Sequence, residues 1–434
     1  MYEKLREAWF PQKKDIQDFT VDELMMLLFG ILSPMSILMF AGNTVFTYLI
    51  LLVEMLAFFR ILQDRGKDLV CNQQIIYPVL IFLASILSVA ICISGNLPAV
   101  FRNGEEVRII WEVLFLFFFI GNCSFFGRYL VKYYVQGVYY SAIVQLVWCY
   151  LQFIYNSTTG LNLNRFIFDE ILHLEVEYGY GENAIVGTGS GALFTGMCWH
   201  PSNLAPLLCI GYMLSSKWSV KLLILFMSAM CGSRTAFLGV MICAASELFL
   251  KVRDKGIVIR IRPMVVTIGF VAIVLFSAYA FLNGSSIFSE LTEKLILYVE
   301  KTSYKNNGST QAHFNYWLCF PEAIRFSELK HILFGYGPEC SGYIGTEILG
   351  MYEGLKWVLE CDYMNIFWNY GLVGFLLRYV WYISEVLSAG KRARIAWPLW
   401  CAFAVMGIFY NVLLNWVVIF IYSIFLINGR FDHE

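Results

Sequence analysis

Apolar residues run along this chain in windows of about twenty, separated by short polar intervals, which is the pattern of helices that cross a bilayer. The windows fall near 24–40, 44–61, 75–93, 109–126, 138–155, 191–214, 219–230, 235–250 and 264–282. A further window covers 363–387, and the stretch 398–427 is too long for one helix, so a break near 411–415 divides it. The pattern predicts an all-α polytopic membrane protein with about twelve transmembrane helices. Pro34 lies inside the first window and predicts a kink there. The window at 219–230 is short for a span. Between 283 and 362 the pattern fails, because charges are too frequent for hydrocarbon. That interval is expected to be one large, partly helical extracytoplasmic loop. The organisation is then a bundle of about nine spans over 1–282 with a small outer loop at 156–190, the large loop at 283–362, and further spans over 363–434.

Composition agrees with the pattern. Hydrophobic residues make up 59% of the 434, and charged residues only 15%, against about 25% in soluble domains. The net charge of −1 carries no information, but its distribution does. With a cytoplasmic N-terminus, the inner segments hold 20 Lys and Arg and the outer ones 10, although the outer ones are much longer. This asymmetry predicts a multi-pass protein of the cytoplasmic (inner) membrane with both termini cytoplasmic and the large loop outside. The first 22 residues lack the order of a cleavable signal, so the first span is expected to be retained. Both outer loops are acidic, ten Asp and Glu against six Lys and Arg in the large one. That argues against nucleic acid or another polyanion as a partner. No internal repeat is visible, which weighs against inverted-repeat transporters.

Nine of the 12 cysteines sit in or beside apolar windows, where Cys acts as a small hydrophobe. Cys319, Cys340 and Cys361 lie in the large loop, and any one pair of them could bridge. No Cys-x-x-Cys or His-x-x-x-His spacing occurs, so no metal site or cofactor is expected.

Candidate chemistry gathers at span ends. Arg234, in Cys231-Gly232-Ser233-Arg234-Thr235, lies between two closely spaced windows at the outer membrane edge. It reads either as an arginine reaching lipid phosphates or as a planar donor fork held for a diphosphate. At Trp199-His200-Pro201-Ser202-Asn203, Pro201 is expected to interrupt the sixth span, with His200 and Asn203 lining a cavity. In the large loop, 309–325 reads as a helix on which His313 and Trp317 share a face, with Pro321 interrupting it. Leu333-Phe334-Gly335-Tyr336-Gly337 reads as a tight turn, ordinary or functional. Glu360 and Asp362 precede the span at 363 and read as helix caps or as a general base. Glu54 and Arg378 fall near mid-membrane and are expected to neutralise each other. Gln145 and Gln152, seven apart on one face, are expected to make interhelical hydrogen bonds.

Four local patterns, in order, resemble the O-antigen polymerase and ligase superfamily, the Wzy-like and WaaL-like bacterial membrane glycosyltransferases. They are Thr195-Gly196 with His200-Pro201-Ser202-Asn203-Leu204-Ala205, then Cys231-Gly232-Ser233-Arg234-Thr235-Ala236. The others are Leu333-Phe334-Gly335-Tyr336-Gly337, and Tyr363-Met364 with Phe367 and Tyr370-Gly371-Leu372-Val373-Gly374. Glu360-Cys361 stands where ligases place a histidine followed by Asn, and His313 stands where an arginine often precedes the loop tryptophan. The resemblance is therefore closer to the polymerase side. It implies polymerisation of lipid-linked oligosaccharide repeat units (O-antigen, capsule or exopolysaccharide) on the outer face of the membrane. The donor would be an undecaprenyl-diphosphate-linked oligosaccharide in the lipid bilayer, with other polysaccharide assembly proteins as partners. No metal is required once cations stabilise the diphosphate. Arg234, with Arg325 or a nearby Lys, would hold that anion. Glu360, with Asp362 or His313 as substitutes, would take the acceptor proton. His200, Asn203, Trp317 and Tyr336 would line the cavity. Ligase-type transfer of finished glycan, and flipping of the lipid-linked oligosaccharide, are the alternative functions.

Overall fold

The computed structural model describes residues 18–32, 34–35, 76–94, 127–173, 193–198, 201–254, 317, 320–337, 340, 344, 359, 361–388 and 396–412. His200, His313, Glu360, Glu54 and Cys319, and the windows 44–61, 109–126 and 264–282, lie outside them.

The described elements form an all-α bundle. In chain order they are α1 (Val21–Leu32), α2 (Ile76–Ser94), α3 (Gly127–Thr159), a π-helical turn (Arg165–Ile171), α4 (Pro201–Leu214), α5 (Trp218–Met230) and α6 (Arg234–Asp254). Then come α7 (Phe320–Phe326), α8 (Leu329–Phe334), α9 (Asp362–Ser388) and α10 (Ala396–Met406). Among the described residues, two helical stretches are long and apolar enough to cross a membrane, Lys132–Thr159 and Arg234–Val252. At 13 residues, α5 spans only about 20 Å along its axis. Large apolar side chains point outward at helical spacing, for example Val144, Val147, Leu151 and Ile154 on α3 and Leu376 and Val380 on α9. A stripe of that kind suits contact with lipid.

Local chemistry explains where the elements begin and how closely they meet. Thr20 and Glu23 form a reciprocal capping box at the start of α1: Glu23 Oε2 accepts the Thr20 N–H at 2.9 Å and Thr20 Oγ1 accepts the Glu23 N–H at 3.3 Å. α1 then packs on α3 through Gly30 and Gly137, each of which lies against the other helix's backbone where a Cβ would collide. Small residues at such a crossing let two helices approach at backbone distance. The main core lies among α3, α4, α5, α6 and α10, with Leu204, Leu208, Met227, Val240 and Phe403 fully or nearly fully buried.

Three expectations change. Pro201 does not interrupt a helix; it begins α4, where its missing N–H costs nothing. The preceding segment 193–198 is non-helical. Pro321 likewise sits in the first turn of α7. The break in the last long window comes earlier than expected, because α10 ends at Met406 and a turn runs through 407–410.

Candidate functional site

Three non-helical turns meet the ends of helices at one pole of the bundle. The first is built on α3, whose Gln145, Cys149 and Gln152 share a face. Gln152 Oε1 accepts the Gly196 N–H at 2.9 Å and Gln145 Oε1 accepts the Met197 N–H at 2.5 Å. The two glutamines therefore bond backbone rather than another helix's side chains, and they satisfy donors that the unwound segment would leave orphaned. Gly196 has φ +63, and a Cβ there would meet the Gln145 carboxamide. Asn164 completes the clamp: its Nδ2 donates to Gly196 O at 2.9 Å and Thr195 Oγ1 at 3.2 Å, while its Oδ1 accepts the Trp148 indole N–H at 2.6 Å.

The second turn follows directly. Phe194 N donates to Cys231 O at 3.2 Å, which joins the Thr195-Gly196 motif to the Cys231–Arg234 motif through backbone alone. Gly232 takes φ +81, and Ser233 caps α6 by accepting the Ala236 N–H on its Oγ at 3.2 Å. Arg234 is the first residue of α6 and stays part-exposed. Asn203, in the first turn of α4, is also part-exposed, and α4 packs along α6.

The third turn belongs to the loop base. Asp362 opens α9 and is fully buried. Its N–H donates to Gly407 O and its Oδ2 accepts the Val412 N–H, both at 2.8 Å. Tyr363 adds a bond from its hydroxyl to Ala404 O at 2.7 Å. Asp362 thus clasps the turn that ends α10. α10 in turn packs antiparallel to α6, with Met406 against Gly239 and the Cys243 thiol near Pro398 O. Five residues separate Arg234 from Gly239, about 8 Å along the axis, so the start of α6 and the Asp362 clasp lie at the same pole.

Above α9, the large loop has its own small core of Ala323, Tyr336, Cys340, Leu359, Cys361, Met364, Phe367 and Trp368. The Leu333–Gly337 turn is neither an ordinary surface turn nor an open subsite. Tyr336 N donates to Trp368 O at 2.7 Å and Gly337 N to Asn369 O at 3.1 Å. The Asn369 carbonyl also accepts the Ser88 hydroxyl from α2. These carbonyls are released because α9 breaks at Gly371, φ +67 and ψ −175. Two of the sequence motifs are therefore the two halves of one joint.

Tyr336 is buried: its ring stacks on His331 at 4.1 Å and its hydroxyl donates to Ser327 Oγ at 2.9 Å. It packs the loop rather than facing a cavity. Trp317 is 41% exposed beside Tyr363. Arg325 is exposed at the end of α7. Cys340 and Cys361 are buried free thiols, so none of the three pairs open to the loop cysteines forms. Burial pushes the Cys361 thiol up to about 12. Arg378 donates to Ser85 Oγ at 3.3 Å and lies 4.3 Å over the Tyr370 ring; its expected partner Glu54 lies outside the described residues. Among the described residues, no group of three metal-ligating side chains converges.

Sequence reasoning passed over Asn164 entirely and took Gln145 and Gln152 for helix–helix contacts. Lys221, one of the 20 Lys and Arg assigned to the inner segments, is buried against Glu247, 2.5 Å away. The available signal was Glu247 itself, an acid inside an apolar window with Lys251 four residues on.

Burial lowers the His331 pKa below its ordinary value, and the contact of Nδ1 with Gly335 O at 3.1 Å offsets this in part. The unfolded chain therefore takes up a proton more readily than the folded one. Stability is fully present above about pH 6.5 and declines as pH falls through that value toward the lower folded pKa. Thermal unfolding of the purified protein at pH 7.5 and pH 5.5 should show that decline, and His331→Gln should flatten it.

No protein-family model matches the chain, and a search of curated proteins finds none similar to it.

Proposed function

We propose that this protein polymerises lipid-linked oligosaccharide repeat units at the outer face of the cytoplasmic membrane. The observation that carries the reading is the direct bond between the Thr195-Gly196 turn and the turn that presents Arg234 at the start of α6. A helix N-terminus next to a glycine turn, with a guanidinium at its first residue, suits an anionic diphosphate. The donor is a glycan on undecaprenyl diphosphate, and the acceptor is a sugar hydroxyl of a second unit. The hydroxyl oxygen forms a bond to the anomeric carbon while the bond from that carbon to the diphosphate breaks. The diphosphate leaves with the electron pair, stabilised by Arg234 and, from the loop, Arg325. The hydroxyl proton passes to a base, assigned to Glu360 with His313 as substitute. Asp362, buried and bonded to Val412, is given the task of holding the α9 start in place. Asn203, His200 and Trp317 contribute to sugar binding.

The test is incubation of purified protein with the lipid-linked oligosaccharide and no nucleotide sugar. Longer chains are expected, and Arg234→Ala should slow their formation on the order of 100-fold or more. Chain growth by Arg234→Ala at the normal rate would remove that residue from the mechanism. Transfer of finished polymer to a separate acceptor, without chain growth, would replace the polymerase reading by the ligase one.

A further inference from the structure

The pole opposite the candidate site carries a second charged cluster. Lys221, in the first turn of α5, and Lys251, in the last turn of α6, share one oxygen of Glu247: Nζ to Oε1 is 2.5 Å for Lys221 and 2.8 Å for Lys251. Lys221 and Glu247 are 3% and 2% exposed, but Lys251 is 32% exposed. Its ammonium lies 5.0 Å over the ring of Trp218, which is itself 62% exposed. The Lys221 ammonium lies 4.8 Å from the Tyr212 ring on the inner side. Lys217, exposed, precedes Trp218 in the short turn between α4 and α5.

We infer that Lys251, Lys217 and Trp218 form a binding site for the headgroup phosphate of an anionic phospholipid, with the buried Lys221–Glu247 pair fixing the Lys251 ammonium in place. A lysine on the surface ordinarily loses side-chain freedom when it binds an anion. Here the Glu247 carboxylate and the Trp218 ring have already ordered it, so that cost is reduced. The occupant is set by position. The cluster lies at the end of α6, one of the helices long and apolar enough to cross a membrane, and an exposed Trp beside Lys is the residue pairing of the membrane–water interface. The sequence continues the basic character with Arg253 and Lys255, and each Lys or Arg near an anionic surface adds to the attraction. The inference rests on the membrane reading and not on the glycosyl-transfer one, because no sugar substrate enters its test.

Purified protein is mixed with vesicles of phosphatidylglycerol or of phosphatidylcholine, and the lipid retained per protein after detergent extraction is measured by native mass spectrometry. Wild type should retain phosphatidylglycerol at least about tenfold over phosphatidylcholine, and Lys217→Gln with Lys251→Gln should lower that preference to about onefold. Lys217→Gln alone, at an exposed position, covers the case in which the double variant fails to fold, and should lower the preference severalfold. Equal retention of both lipids by wild type would overturn the inference, as would unchanged retention in the folded variants. Equal retention of soluble glycerol phosphate at the same phosphate concentration would overturn its lipid source.

Discussion

Gly371→Ala is expected to unfold the joint between the large loop and the bundle, at a cost of about 2–6 kcal/mol, summing backbone strain and overpacking. Gly371 combines φ +67 with ψ −175, a region open in practice to glycine alone. A Cβ there would also run into the backbone of Leu333 and Phe334, which cannot move like the end of a flexible side chain. Gly335 repeats the situation from the other side, with φ +84, ψ −179 and the Asn369 carbonyl in the place of its missing Cβ. Gly335→Ala should therefore be about as damaging, and the two together should cost less than their sum, because either one already separates the same surfaces. Gly374→Ala, in the same helix, presses on the Tyr370 Cβ but without a positive φ, so it separates overpacking from backbone strain. Thermal unfolding in detergent, read by size exclusion, measures all three. A Gly371→Ala protein as stable as wild type would show that the joint does not hold the loop down.

Lys221→Met is the second large effect. Removing one partner from a buried ion pair leaves a desolvated charge behind, which costs about 3–5 kcal/mol. Glu247 has two ammonium partners, so Lys251 retains part of the compensation. The loss from Lys221→Met should therefore fall at the lower end of that range, and that from Glu247→Leu, which strands two lysines, at the upper end. The double variant Lys221→Met with Glu247→Leu should recover stability relative to Glu247→Leu, since the burial of unpaired charge and not the absence of attraction dominates. Denaturant or thermal unfolding of the four proteins closes the cycle. A double variant less stable than Glu247→Leu would mean that attraction within the pair outweighs its desolvation.

These two cases separate what can be read along a chain from what cannot. The helical character of the chain, the end of α5 and the start of α6 around Cys231–Arg234, and the early position of Asp362 in α9 follow from local rules: apolar length, capping residues and glycine placement. Those rules act over one or two helical turns, so they are written in neighbouring residues. The sequence also singled out Arg234, the Leu333–Gly337 turn and Gln145, because each breaks a local pattern, whereas Gly371 stood out only within a motif of the resemblance. It had no means of pairing them. Leu333–Gly337 and Gly371 are more than thirty residues apart, Gln152 and Gly196 are 44 apart, and Lys221 and Glu247 are 26 apart. Each contact exists because an unwound or buried backbone group, or a buried charge, must find a partner once water is excluded. Which partner it finds depends on how helices pack, and packing is decided by shape across the bundle. The helical character of the described segments and the turn at Cys231–Arg234 were therefore legible in the sequence alone. The tertiary structure decided that the glycine turn locks onto a broken helix, that Asp362 clasps a turn, and that Lys221 is buried against an acid.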